Sequence, residues 1–341
     1  MEFHFRNSND AFNTLVKFIR DNQDSPHLVR ENSRNGEVIS FKDPVTVAYT
    51  SPWERVLWHP ARDCNPFFHL FEAVWMLAGS NRLKPLTRYV KKMKEFSDDG
   101  ETLHGAYGYR WRNSICGDQL TKIVNELKDN PQSRRCVLQM WDARADDSPA
   151  LSGSCADLDI ACNGGKDVPC NSHAYFRIVN DRLTMTVCNR SNDMVWGMLG
   201  ANYVHFSFLQ EYMAARIGVP VGTYYQVTNN LHVYTWNFEP DKWLEGTNND
   251  PYTEKDMGYS LLSNTEHWGL FDMECRGLVS TKPPYYPGEY RSDFLSRVFV
   301  PAMNCHYIHK VGDTAEAKAL TAGIEEMDWQ IACREWLQRR L

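Results

Sequence analysis

One hairpin constrains the middle of this 341-residue chain. Residues 174–179 and 183–189 are rich in β-branched and aromatic side chains and bracket Asn180-Asp181. Two strand-like runs around such a pair read as a tight antiparallel turn. The run Asp167-Val168-Pro169-Cys170-Asn171-Ser172-His173 precedes the first strand, and Asn189-Arg190-Ser191-Asn192-Asp193 closes the second. Asn202 and His232-Val233-Tyr234 follow. A thiol, an arginine, a carboxylate, an amide and a His/Tyr pair thus come in fixed order between strand-like segments. This set suits attack on an electron-poor ring that carries a phosphate, because a thiolate can add to such a ring at neutral pH.

The flanking segments predict an α+β chain. Residues 9–22 read as a helix, with Phe12, Leu15, Val16 and Ile19 at helical spacing. Residues 38–58 look like strands. Asn65-Pro66 supplies an N-cap and a first-position proline for a helix over 67–77, closed by Gly79. A short helix is expected over 120–127, a buried strand over 135–141, and a long polar loop over 142–167, a length that tends to carry function. Asn202 is expected to cap a helix running to Ile217, and 224–227 and 231–234 read as strands. Beyond about residue 240 the chain reads as irregular until an amphipathic helix over about 313–341. No linker is evident, so one domain over 1–341 is expected, with 240–341 as an extension.

Composition narrows the function classes. The net charge of −6 argues against a protein that coats nucleic acid. No stretch approaches the roughly 18 apolar residues of a membrane span. The amino-terminal residues carry no apolar secretory core, and the ten cysteines show no short paired spacing. Reduced thiols in a cytoplasm, bacterial or of an infected host, are therefore expected. Cys155, Cys162 and Cys170 lie close in sequence, but without companion ligand spacing no metal site is assigned.

The ordered motifs resemble the thymidylate synthase family, which includes the pyrimidine-nucleotide hydroxymethylases. Ser33-Arg34-Asn35-Gly36 resembles its phosphate-loop arginine, and the stretch from Leu70 through Glu72 to Gly79 its glutamate helix. Leu103-His104-Gly105-Ala106-Tyr107-Gly108, continuing to Trp111-Arg112, is similar to its tyrosine-glycine segment, and Ser133-Arg134-Arg135 to its double arginine. Pro169-Cys170 resembles the nucleophile, Arg190-Ser191-Asn192-Asp193 with Gly197 the following signature, and His232-Val233-Tyr234 the last motif. The resemblance implies a three-layer fold with a large mixed β-sheet, assembled as a homodimer in which Arg134 and Arg135 reach the partner's site. It implies 5,10-methylenetetrahydrofolate as co-substrate.

On that resemblance Cys170 adds to C6 of the pyrimidine, and C5 then takes up the one-carbon unit. Arg34, Arg134, Arg135 and Arg190 clamp phosphate beside Ser191. Glu72 organises water and moves protons, and Tyr107 assists loss of the C5 proton. Asp193, Gly197 and Met93 face folate, while His232 and Tyr234 hold the sugar. Asn202 can donate to O4 and accept from N3–H, which suits uracil, whereas an aspartate there would suit cytosine. Between Gly197 and Asn202 the chain has one residue more than synthases usually have.

The product is read from the cavity's closure. Met93 and Phe96 stand where synthases place tryptophans, Asn171 replaces their histidine, and the end Trp336-Leu337-Gln338-Arg339-Arg340-Leu341 is basic instead of apolar. These departures favour water over hydride, hence hydroxymethylation of dUMP. Thymidylate synthesis, dCMP hydroxymethylation and an inert nucleotide- or RNA-binding relative remain the alternatives. If side chains alternate strictly after Cys170, His173 shares a face with Asn171 and would supply the missing imidazole.

Overall fold

The computed structural model describes residues 1–113, 117–142, 157, 164–245, 250–254, 257 and 267–341. Asn180 and Asp181 both take left-handed φ, 50° and 57°, as a two-residue type I′ hairpin loop requires. Around that turn the described strands are β1 (Glu2–Phe5), β2 (Leu28–Ser33), β3 (Gly36–Phe41), β4 (Val45–Tyr49), β5 (Val137–Gln139), β6 (Asn171–Val179), β7 (Arg182–Asn189), β8 (Asn192–Asp193), β9 (Val221–Thr228) and β10 (Leu231–Tyr234). Six form a mixed sheet in the order β1-β4-β9-β7-β6-β5, and four form a smaller one in the order β2-β3-β10-β8. The hairpin β6–β7 lies inside the larger sheet, with β7 parallel to β9.

The helices that position the site are α1 (Ser8–Asp21), α2 (Pro66–Leu77), α3 (Tyr107–Arg112), α4 (Gln119–Asp129) and α5 (Asn202–Ile217). In α2 the side chain of Asn65 accepts from Phe68 N and proline opens the helix, as the sequence predicts. Every residue of α5 from Tyr203 to Ala214 is buried, so this helix runs through the protein instead of over it. Helix α3 sits on the end of α2 at a glycine. A Cβ on Gly108 would lie 2.1 Å from Met76 O, so only glycine permits that approach.

Several elements depart from the sequence reading. Strand structure ends at Tyr49, and residues 50–58 are not strand. The strand over 135–141 shrinks to three residues at the sheet edge, where Val137 is 43% exposed. Most of the 142–168 loop, with Cys155 and Cys162, lies outside the described residues. Among the described residues of the segment expected to be irregular, α6 (Trp268–Ser280) and α7 (Val300–Lys310) are helices, and with α8 (Met327–Gln338) they pack into a hydrophobic cluster that runs from Phe5 to Leu337. The single amphipathic helix expected over 313–341 is broken into Thr314–Leu320 and α8, because the chain turns over at 321–323 and extends at Ile324.

The docking of α8 depends on buried acids. Burial pushes the Glu326 carboxyl up to about 9, with Asp328 and Glu211 adding to it and Arg55 opposing. Burial likewise lifts Asp328 to about 6, against the Tyr252 hydroxyl 2.9 Å away. A carboxyl whose folded value is raised stabilises the fold while protonated. Its contribution is lost as pH rises from the unfolded carboxylate value toward 9. Thermal stability is therefore expected to fall between pH 5 and pH 9, and Glu326→Gln to flatten that slope; equal slopes in melts of the two proteins would refute the assignment.

Candidate active site

Cys170 stands at the mouth of β6, between Tyr107 on one side and Arg190 on the other. The Tyr107 hydroxyl accepts from the backbone N–H of Cys170 (3.0 Å) and of Asn171 (3.2 Å). Arg190 closes the other side. Its backbone N–H donates to Cys170 O, Nε donates to Pro169 O (2.8 Å), and Nη2 donates to Val168 O (3.0 Å) and points at Cys170 Sγ (3.8 Å). The hairpin explains this pairing, since Asn171 lies opposite Asn189 and so brings residues 170 and 190 together. Burial pushes the Cys170 thiol up, and the Arg190 guanidinium is the largest opposing influence. Burial and the adjacent Cys170 push the Tyr107 phenol up as well.

Next to the thiol, Arg34, Ser191, His232 and Tyr234 line one cavity with Asn230 and the β2–β3 turn. Arg34 is exposed and its two Nη groups donate to Gly165 O and Lys166 O, on the segment leading to Cys170. His232 Nδ1 is 2.9 Å from Asn230 Oδ1, and the His232 and Tyr234 rings meet edge to face at 5.2 Å. An arginine at a cavity rim with hydroxyl and imidazole groups inside suits a phosphorylated sugar.

Asp193, paired with His232 across β8 and β10, caps the following helix. Its Oδ1 accepts from Val195 N (2.7 Å) and Trp196 N (2.9 Å). Burial pushes its carboxyl up and the His232 imidazole down. Trp196 is 52% exposed and backed by the Arg62 guanidinium 3.6 Å from its ring. An open aromatic face beside a carboxylate fits a flat heteroaromatic co-substrate.

Asn202 does not cap a helix. Residues Met194–Ala201 form a π-type turn, kinked at Gly200, that runs directly into α5, and Asn202 N donates to Gly197 O. A π-type turn takes in one residue more than an α-helical one, and this one spans the interval from Gly197 to Asn202. Gly197 is fixed by crowding: a Cβ there would lie 2.2 Å from Asn192 Oδ1 and 3.1 Å from Asn202 Nδ2.

Glu72 is buried in α2, with His205 Nε2 of α5 3.1 Å from its Oε2. The approach is off the N–H axis, so that nitrogen has no aligned hydrogen bond. Phe206, the next residue, meets Tyr107 at 5.9 Å, which links this pair to the thiol's support.

Other expected members lie apart. His173 does not share a face with Asn171, because the β6–β7 register shifts between them and strict alternation fails. Asn171 is fully buried while His173 is half-buried against Tyr175, with its imidazole lowered by burial. Arg134 and Arg135 are exposed before β5. Val137 pairs with Tyr175, so by strand rise they stand about 20 Å from the thiol. Met93 lies in the turn Lys91–Phe96, half-buried on the core. The sequence reading missed Asn192, Gln226 and His205. Gln226 and His205 are polar residues at buried positions: Gln226 between inward Tyr224 and Thr228, and His205 between Val204 and Phe206.

The sequence profile for thymidylate synthase matches residues 66–256. A deoxyuridylate hydroxymethyltransferase of Pseudomonas phage M6 is 41% identical over 334 residues, 92% of this chain and 88% of that protein. Proteins of the same name from Bacillus phage SP01 and Delftia phage PhiW-14 are 36% and 32% identical, over 58% and 59% of this chain and 51% and 54% of theirs.

Proposed function

The chain belongs to the thymidylate synthase family, and from that premise we propose that it transfers a hydroxymethyl group to C5 of dUMP, with 5,10-methylenetetrahydrofolate as carbon donor. One arrangement carries the reading: Cys170, its backbone N–H held on Tyr107 and its thiol faced by Arg190 at 3.8 Å, is joined through Arg190 to the neighbouring Ser191 of the Arg34/Ser191/His232/Tyr234 cavity. The thiolate adds to C6, and the electron pair moves to C5, which bonds to the one-carbon unit. Loss of the C5 proton, assisted by Tyr107, forms the C5=CH2 double bond as the CH2–N bond to the folate breaks, so tetrahydrofolate leaves with the electron pair and a proton on its nitrogen. Water then adds to it and the thiolate departs, which divides a hard substitution into easier steps. Arg34 and Arg190 bind the phosphate with Ser191, His232 and Tyr234 hold the sugar, Asn202 reads the base, and Asp193, Gly197 and Met93 bound the folate side.

Water is favoured over hydride because the synthase tryptophans are Met93 and Phe96 here, and Phe96 is 38% exposed. Arg339 and Arg340 both bond to Asp63, beside the Arg62 that backs Trp196.

A second copy of the chain is expected on the outer face of the six-stranded sheet, where Val137, Tyr175, Thr186 and Tyr225 form one cross-strand row. That dimer would carry Arg134 and Arg135 to the partner's phosphate. No helix among the described residues is long and apolar enough to cross a membrane, and a cytoplasmic location suits the reduced thiol.

The test is product analysis. Incubated with dUMP or dCMP and methylenetetrahydrofolate, the protein is expected to release tritium from [5-³H]dUMP and yield 5-hydroxymethyl-dUMP with tetrahydrofolate. A methyl product with dihydrofolate would make it a synthase, and no release from either nucleotide would end the enzyme reading.

A further inference from the structure

Two buried amides, Asn192 and Gln226, stand in line between the base reader Asn202 and a backbone carbonyl. Asn202 Nδ2 donates to Asn192 Oδ1 (3.0 Å), Asn192 Nδ2 to Gln226 Oε1 (3.2 Å), and Gln226 Nε2 to Met198 O (3.1 Å). Asn192 and Gln226 are 3% and 1% exposed, so water does not compete for these groups. A side-chain amide can turn over, which ordinarily leaves the direction of such a line open. A backbone carbonyl cannot turn over and only accepts. Met198 O therefore takes an N–H from Gln226, Gln226 offers its oxygen to Asn192, and Asn192 offers its oxygen to Asn202. The π-type turn contributes to this arrangement. It carries the Asn202 backbone N–H to Gly197 O, one residue before the Met198 carbonyl that an α-helical step would use.

We propose that Gln226 is a specificity-determining positioning residue: with the Met198 carbonyl it locks the Asn202 amide for uracil and refuses a carboxylate at position 202. This rests on the reading that the substrate is dUMP. Locked, Asn202 has one N–H committed to Asn192, with its second N–H for O4 and its oxygen for N3–H. An aspartate at 202 would set oxygen against Asn192 Oδ1. Asn192 cannot answer by turning over, because its oxygen would then face Gln226 Oε1. Gln226 cannot turn over either, because its oxygen would face Met198 O. A one-residue change of base preference, chemically sufficient at the base itself, is blocked two side chains away.

The experiment compares wild type, Asn202→Asp, Gln226→Met and the double variant, with kcat and KM for tritium release from 5-³H-labelled dUMP and dCMP. Asn202→Asp alone is expected to lose about 100-fold or more in kcat/KM on dUMP and to gain little on dCMP, as a buried polar mismatch does. Gln226→Met, of similar length but without an amide, is expected to raise KM for dUMP more than it lowers kcat. It should also cut the preference for dUMP over dCMP by about tenfold. Freed from its anchor, Asn192 can turn its N–H toward a carboxylate. The double variant should therefore use dCMP at least about tenfold better than Asn202→Asp alone.

Equal use of dCMP by the single and double variants, or an unchanged base preference in Gln226→Met, would overturn the lock. Asn192→Leu cuts the line at its other joint and answers the same question if Gln226→Met does not fold. Wild type that releases no tritium from dUMP fails the functional reading instead; the ratio of Kd values for dUMP and dCMP in the same variants then decides the lock.

Discussion

Cys170→Ser is expected to abolish tritium release from dUMP, with a loss of roughly ten-thousandfold or more, because removal of a covalent nucleophile leaves only the binding groups. The substitution is conservative for the fold. Tyr107 holds the backbone N–H of residue 170, and Arg190 bonds to the carbonyls of 168, 169 and 170, none of which involves sulfur. Affinity for dUMP should therefore survive while turnover does not. The thiol also gives a pH signature. Burial raises it and Arg190 opposes that rise, so activity should grow as pH climbs through the thiol's ionisation. Arg190→Gln removes the opposing charge and should move that limb to higher pH. Iodoacetamide labelling of Cys170 against pH, with and without Arg190, reads the shift without turnover. A labelling curve that stays in place, or a serine variant that turns over, would remove Cys170 from the chemistry.

Much of this site is legible because it hangs on one register. Two residues with left-handed φ between two alternating runs fix the β6–β7 pairing, and that pairing alone carries Arg190 to Cys170. What defeats the sequence is departure from period. The bulge between Asn171 and His173 sends His173 to the wrong face, and alternation gives no warning of it. Asn202 looks like a cap because asparagine before an apolar helix usually is one. Here the cap is Asp193, nine residues earlier, and a π-type turn kinked at Gly200 that runs on into α5 hides the join. The amide line needs three residues from three elements whose contacts exist only after the sheets form. Gln226 on the inward face of β9 was its one visible trace. Helices α6 and α7 were obscured by Pro, Tyr and Gly in the segments around them, whereas α8, which buries Trp329, Cys333 and Leu337 at helical spacing, falls within the amphipathic helix expected over about 313–341.

Glu72→Gln is expected to separate the two halves of the reaction. In the proposed hydration step, water oxygen bonds to the methylene carbon at C5 and its proton passes to Glu72. The electron pair of that double bond then restores C5=C6 as the C6–S bond breaks to thiolate. A glutamine can hold the water but cannot take the proton, so 5-hydroxymethyl-dUMP should fall by about 100-fold or more, the usual scale for a positioned base. Tritium release, which precedes hydration, should fall much less. The stranded methylene can then be caught by added 2-mercaptoethanol, whose S–H adds in place of water's O–H to give a C5 thioether detectable by mass. His205, with Nε2 3.1 Å from Glu72 Oε2, offers the competing explanation that Glu72 is simply one half of a buried ion pair. Breaking such a pair by removing one partner would destabilise the fold. In that case Glu72→Gln lowers the denaturation midpoint, product and tritium release decline in parallel, and no thioether forms.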